Sequence, residues 1–126
     1  MPGITFPAAR ADQPVGLLDL LRLLGERGRN SVWLLKNLEV APSPSADRLH
    51  DAADRGSWVL GTDLLELAAG YTQVIDGELI AHDSPDDPPW VMLRAVDGTE
   101  WDVYSEDERL LSQIAAGVAD ARPIPE

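Results

Sequence analysis

The strongest constraint on the fold is the Asp97-Gly98 pair, which separates two runs of alternating apolar and polar residues in the segment 90–104, WVMLRAVDGTEWDVY. Both residues tolerate the positive φ angles that a two-residue hairpin turn requires. The pair therefore predicts two antiparallel strands in which Arg94 lies opposite Trp101. Since a cation over an indole face is favourable, we expect Arg94 to stack on Trp101.

The register of this hairpin decides which side chains enter the core, because successive residues of a strand point to opposite faces. With a two-residue turn, the core face carries Met92, Val96, Trp101 and Val103. The opposite face carries smaller apolar residues beside Glu100, Asp102 and Tyr104. These acids are therefore expected on the side that faces away from the core.

Leucines at helical spacing predict helices in the first half of the chain. In PVGLLDLLRLLGERG they share one face, and this helix is expected to begin near Pro14 and to end at the two glycines. A second helix is expected from Ser45 to Gly56, and a third begins after Thr62.

Two segments are ambiguous by periodicity. Residues 31–40, SVWLLKNLEV, fit a short helix as well as a buried strand, and we favour the helix. After the third helix, the apolar spacing through Tyr71 is compatible with more helix, whereas YTQVIDGELIAH fits strands. We expect strands from Gln73, either as two short strands or as one strand with a bulge at Gly77.

The remaining segments complete the predicted fold. The prolines and aspartates of DSPDDPP predict a loop, and the S-x-x-E spacing of Ser105 and Glu108 predicts the start of a last helix. The fold class is thus α+β, with a helical N-terminal half, an antiparallel β-meander of three to four strands in the C-terminal half, and a closing C-terminal helix. Residues 13–121 are expected to form one domain between a disordered tail over 1–12 and a tail over 122–126.

The charge of the chain is unevenly distributed. Residues 1–60 carry seven basic and seven acidic side chains, whereas residues 61–126 carry three basic and fifteen acidic ones, so the whole net charge of −12 lies in the second half. Such a field repels nucleic acid and anionic membranes and attracts basic proteins. The absence of cysteine excludes disulfides and thiolate chemistry. No secretory signal and no long apolar run is visible, so we expect a cytoplasmic protein.

Two clusters contain residue types that bind metals. His50 with Asp51 and Asp54 fits one face of a helix, and His82 lies beside Asp83, Asp86 and Asp87. Neither cluster has the spacing of a known metal site, so we interpret both as solvated surface and predict no metal and no cofactor. The sequence also contains no nucleophile elbow and no phosphate-binding glycine loop, and we predict no catalytic residue.

The predicted function is that of a non-enzymatic, acidic protein-interaction domain, for example an immunity-like inhibitor or an adaptor, with a basic protein as its partner. Tryptophan is enriched at interaction hot spots, and Trp90, after two prolines, is expected to be partly exposed. The predicted partner-binding residues are Asp83, Asp86, Asp87, Trp90, Glu100, Asp102 and Tyr104. The alternative is a small-molecule or divalent-cation binding domain with a cleft between the meander and the N-terminal helices.

Overall fold

The computed structural model describes residues 1–70 and 72–125 as an α+β fold with one seven-stranded antiparallel sheet and four helices in this part of the chain. The strands are β1 (Gly3–Pro7), β2 (Val32–Val40), β3 (Val59–Leu60), β4 (Val74–His82), β5 (Pro89–Val96), β6 (Glu100–Tyr104) and β7 (Arg122–Pro123). The helices are α1 (Leu17–Asn30), α2 (Ala46–Arg55), α3 (Gly61–Ala68) and α4 (Glu108–Gly117). The order across the sheet is β3-β2-β4-β5-β6-β1-β7.

The predicted division into a helical N-terminal half and a separate C-terminal meander is wrong. Three of the seven strands come from the first 60 residues, so the meander β4-β5-β6 is the middle of a larger sheet. Residues 31–40, for which a helix was favoured, contain β2, whose Trp33 and Leu35 are buried and alternate with more exposed neighbours. This segment pairs with β4 along most of its length and with β3 at Val32 and Trp33, and periodicity alone does not reveal these partners.

The N-terminal segment 1–12 was expected to be disordered, but Gly3–Pro7 form β1 between β6 and β7. Phe6 anchors this strand in the core with only 1% of its surface exposed. At the other end, Arg122–Pro123 pair with β1, so the predicted tail over 122–126 also contributes a short strand. Glu126 lies outside the described residues.

The hairpin forms at Asp97 and Gly98, which both have positive φ, but its register differs by one residue from the prediction. Val96 pairs with Glu100, and Arg94 pairs with Asp102 instead of Trp101. The shift turns every side chain of β5 to the other face, so the predicted stacking of Arg94 on Trp101 is wrong.

This register also changes which residues of the hairpin enter the core. The core face carries Leu93, Ala95, Trp101 and Val103, and Met92 and Val96 lie on the opposite side.

The extra residue in the turn is Thr99, and contacts from distant segments hold it. The Thr99 amide donates to Val96, which closes the turn, while the Thr99 carbonyl accepts from Ala8 at 2.8 Å. The Gly98 amide donates to Ile75 at 2.8 Å, and the Asp97 amide donates to the Asp76 carboxylate at 3.0 Å. Partners this far away in the sequence are invisible to a prediction from the turn residues alone.

Strand β4 is continuous, which corresponds to the second of the two predicted alternatives. Its pairing with β2 is irregular between Lys36 and Glu39, opposite Gly77. Gly77 has φ +130, and a Cβ at this position would lie 2.8 Å from the Cα of Leu38, so only glycine fits there. The alternative of a helix through Tyr71 concerns a residue outside the described part.

The helices cover one face of the sheet and leave the other open. Buried leucines from α1, α2 and α3, with Ile114 from α4, pack with the alternate buried residues of the strands in one core. On the opposite face of the five central strands, no described residue with a side chain is fully buried. None of the helices in the described ranges combines the length and apolar character needed to cross a membrane.

We predict that Phe6→Ala destabilises the domain by about 3–5 kcal/mol, because it empties a buried aromatic site and weakens the anchoring of β1. Ala11→Ser, at an exposed position of the same N-terminal segment, is the control and should change stability by less than about 0.5 kcal/mol. Urea unfolding of both variants measures the difference. Equal, small effects would mean that β1 does not contribute to the core.

Candidate functional site

A cleft of about 510 Å³ lies at the end of the sheet where the β4–β5 loop meets the segment after β6 and the C-terminal part of α1. We call it the end cleft. Its walls combine one cation, four carboxylates, two prolines and a tryptophan. The lining residues are Arg27, Asp83, Asp87, Pro88, Pro89, Trp90, Ser105, Glu106 and Asp107.

Trp90 forms the inner wall of the end cleft and is not the exposed anchor that was predicted, since only 8% of its surface is accessible. The pairing of β4 with β5 is irregular here, because Ala81 pairs with Val91 whereas His82 pairs with Pro89. This irregularity lets Trp90 and Val91 both be buried. The Trp90 indole N–H donates to the Ser31 hydroxyl at 2.9 Å.

Arg27 lies over the outer side of this tryptophan. Its guanidinium carbon is 4.3 Å from the centre of the Trp90 ring, a favourable cation–π geometry. The same guanidinium donates to both oxygens of Asp83, at 3.0 and 2.8 Å. This pair of hydrogen bonds lowers the pKa of Asp83 below its ordinary value and raises the pKa of Arg27. Arg27 thus fastens the loop to the helix layer.

Two buried serines complete the network. The Ser31 hydroxyl, which accepts from Trp90, donates to the carbonyl of Arg27 at 2.7 Å. The Ser105 hydroxyl donates to the carbonyl of Trp90 at 2.6 Å and accepts from the Asp107 amide at 3.1 Å. The strand that carries Trp90 is therefore hydrogen-bonded both to the end of α1 and to the segment before α4.

The predicted capping box at Ser105 and Glu108 is wrong, because Ser105 is buried against Trp90. Asp107 caps α4 in its place, and its carboxylate accepts from the Leu110 amide at 3.1 Å. A carboxylate at a helix N-terminus is favourable, since it faces the positive end of the helix dipole. This helix start is what brings Glu106 and Asp107 to the cleft.

The β4–β5 loop is ordered by its own hydrogen bonds. The Ser84 hydroxyl donates to the Asp87 carboxylate at 2.9 Å, and the Asp87 amide donates to the Ser84 carbonyl at 3.1 Å. A ring nitrogen of His82 lies 2.8 Å from the carbonyl of Asp87. The side chain of Asp86 is exposed to solvent. This turn orients Asp83 inward to Arg27 and leaves the other acids at the rim.

The predicted partner-binding residues do not form one surface. Asp83, Asp87 and Trp90 line the end cleft, and Asp86 is an exposed residue of the same β4–β5 loop. Glu100 and Asp102 instead project from the open face of the sheet. Tyr104 also lies on the open face, where its ring covers Gly3. The acidity of the second half is thus divided between two surfaces with different chemistry.

The candidate metal clusters have structural roles. His50 accepts a hydrogen bond from the Val40 amide at 3.0 Å and so connects α2 to the end of β2. His82 contacts the loop carbonyl described above, and its ring packs perpendicular to the Trp58 ring at a centroid distance of 5.1 Å. Within the described residues, no three His, Cys, Asp or Glu side chains are placed to hold a metal ion.

Three residues that hold the site together were missed by sequence reasoning: Arg27, Ser31 and Ser105. Arg27 belongs to the segment ERGRN, which contains too few cations to suggest a nucleic-acid site. Nothing in this segment indicates that Arg27 pairs with Asp83, 56 residues away. Ser105 matches a helix-capping pattern, and Ser31 begins the segment for which a helix was favoured, so neither serine indicated a contact with Trp90. Residue spacing could not have identified these contacts, because they join separate elements of the fold.

No protein-family model, curated protein or solved structure matches this chain. Its function is therefore inferred from its own geometry.

We predict that Asp83→Asn destabilises the protein by about 0.5 kcal/mol at pH 7, since the ion pair with Arg27 is half-exposed. The pKa of Asp83 is lower in the folded than in the unfolded protein, so its contribution is complete above the unfolded value of about 3.9. That contribution is lost as the pH falls through the lowered folded value. The variant and the wild type should therefore converge in acid.

Urea unfolding at pH 7 and in acid measures this convergence. The control is Asp86→Asn, which makes the same change of charge at a loop carboxylate that has no cation within 4.0 Å among the described residues. A stability loss of equal size for both variants at pH 7 would show that the ion pair contributes nothing of its own.

Proposed function

We propose that this protein is a non-enzymatic, acidic protein-interaction domain that binds a basic partner protein at the end cleft. The observation that supports this best is the convergence of carboxylates from the β4–β5 loop and from the start of α4 around one cleft. These segments are separated in the sequence, and the network of Trp90 holds them together. A rigid, preorganised acidic surface loses little conformational freedom when a partner binds.

The charges of the cleft are only partly balanced within the chain. Arg27 pairs with Asp83, and the N-terminal amine lies 3.7 Å from Glu106. The carboxylates of Asp87 and Asp107 accept hydrogen bonds from neutral groups. In the described ranges, neither of these two has a cation within 4.0 Å. The excess negative charge would attract lysine and arginine side chains of a partner and accelerate encounter.

The chain itself supplies an example of the ligand that this chemistry accepts. Arg27 lies between an indole face and a carboxylate, with two hydrogen bonds to Asp83. Arginine suits such sites better than lysine, because its planar guanidinium both stacks and binds carboxylates through two donors. We infer that the partner presents arginine to the outer carboxylates of the rim, with Pro88 and Pro89 as a rigid apolar border.

An inhibitor of a basic nuclease-type toxin and an adaptor for a nucleic-acid-binding protein both belong to this functional class. In either case the acidic surface would occupy the region with which the partner binds phosphates. Such binding needs no catalytic group, and its affinity depends on salt.

A second candidate function is binding of a small cationic molecule in the same cleft. Its volume of about 510 Å³ falls in the usual range for small-molecule sites, about 300–1,000 Å³. The Trp90 ring is already covered by Arg27 on one side, so a small ligand would have fewer contacts than a protein partner. A thermal-shift screen with polyamines and divalent cations distinguishes the two. A ligand that binds the folded protein raises the melting temperature, and the stabilisation grows with the logarithm of the ratio of its concentration to Kd.

We predict that a synthetic arginine-rich peptide binds the protein at about 50 mM salt and much more weakly at about 500 mM, where charges are screened within a few ångströms. Asp86→Asn with Asp87→Asn should weaken binding about 3- to 10-fold, which corresponds to about 1 kcal/mol. The matched control is Asp63→Asn with Glu66→Gln, which removes the same charge from exposed positions of α3.

Isothermal titration calorimetry measures these affinities. An equal loss for both double variants would mean that only net charge matters, and an affinity independent of salt would refute an electrostatic interaction.

A further inference from the structure

The open face of the sheet is a second surface with an ordered pattern of its own. Strand pairing aligns its side chains in rows that cross the sheet. One row is apolar or aromatic on four successive strands and is formed by Leu34, Ile80, Met92 and Tyr104. All four side chains are only partly buried. We call these residues the apolar row.

The next row toward the hairpin is charged, and its sign alternates from strand to strand. It is formed by Lys36, Glu78, Arg94 and Asp102, in the order β2, β4, β5, β6. None of these four side chains makes an ion pair within 4.0 Å with another residue of the described ranges. We call these residues the charged row. It is electrically neutral, in contrast to the end cleft.

An alternating row of four charges is complementary to itself when its direction is reversed. The order plus, minus, plus, minus then meets minus, plus, minus, plus. A two-fold axis that lies in the interface, parallel to the strands and between β4 and β5, produces this reversal. It places Glu78 opposite Arg94 of a second copy, Lys36 opposite Asp102, and Ile80 opposite Met92. A homodimer with two-fold symmetry needs a self-complementary surface of this kind.

We propose that a second copy of this chain covers the open face, so that two sheets stack face to face around this axis. The other in-plane two-fold, perpendicular to the strands and along the charged row, would place Lys36 on Lys36 and Glu78 on Glu78. Like charges in direct contact oppose association. The charge pattern therefore selects one of the two orientations. Aligned sheets in sandwiches pack at about 30°, and the pair Glu78–Arg94, nearest to the axis, is the least displaced by this rotation.

The size and composition of the face also suit this arrangement. With strands about 4.8 Å apart and rows about 6.8 Å apart, the five central strands present a flat area of about 500 Å². The relief of the side chains increases this toward the value of about 800 Å² that each partner contributes to a standard interface. The apolar row supplies burial, and the charged row adds no net charge to the contact. Glu100, on the same face one row nearer the hairpin, lies 3.9 Å from the cation Arg122.

The experiment uses a charge exchange across the proposed axis. Glu78→Arg leaves positive charges at both 78 and 94, and Arg94→Glu leaves negative charges at both. In a dimer of either variant, residue 78 of each copy faces a like charge at residue 94 of the other copy. The affinity of that dimer should be at least about tenfold lower than that of the wild type. In an equimolar mixture, a positive chain meets a negative chain, so a heterodimer should form with an affinity close to that of the wild type.

Native mass spectrometry distinguishes the heterodimer by its mass, and sedimentation velocity gives the affinities. The wild type is expected to be dimeric at about 100 µM. Circular dichroism checks that both variants are folded, and Asp63→Arg, on the helix side, is a control that should leave the dimer intact.

A monomeric wild type would overturn the proposal. A wild-type dimer that both variants retain would also overturn it, since the contact would then involve another surface. Folded variants that give no heterodimer on mixing would exclude the proposed axis. None of these measurements involves a basic partner, so they are independent of the function proposed for the end cleft.

Discussion

The register between β5 and β6 controls which surface this protein presents. Thr99 adds one residue to the turn. Its carbonyl accepts a hydrogen bond from the Ala8 amide, and the Gly98 amide beside it donates to the Ile75 carbonyl, which keeps the residue there. Because of this single residue, Leu93 and Ala95 face the helices while Arg94 joins the acids on the open side. With the register predicted from a two-residue turn, the charged side chain of Arg94 would lie in the core. The strong cost of burying an unpaired charge therefore supports the observed arrangement.

The second organising contact is the junction of Trp90 with Ser31 and Ser105. It connects the end of α1, the start of β5 and the segment before α4, and each buried hydroxyl both donates and accepts. Buried polar groups stabilise a unique arrangement when all of them are satisfied. The rigidity of the end cleft follows from this network, because both acidic segments are attached to it.

The net charge of the chain is therefore a poor guide to its surfaces. Fifteen acids follow position 60, but the fold divides them. Those of the β4–β5 loop and the start of α4 form an acidic end, whereas Glu78 and Asp102 alternate with cations on the open face. The first surface suits a basic partner and the second suits its own copy. Electrostatic complementarity supports both proposals, although only the first requires an excess of charge.

The sequence by itself determined those elements whose signals are local. The leucine spacing of α1, the limits of α2 between Ser45 and Gly56, and a turn at Asp97-Gly98 depend on residues a few positions apart. Only the tertiary structure decided that residues 31–40 form a strand, that Gly3–Pro7 join the sheet, and that Trp90 is buried beneath Arg27. Periodicity describes how one segment distributes its side chains. Distant segments instead decide the strand partners, the register and the pairing of Arg27 with Asp83. These contacts lower the free energy of the protein only once the chain is folded.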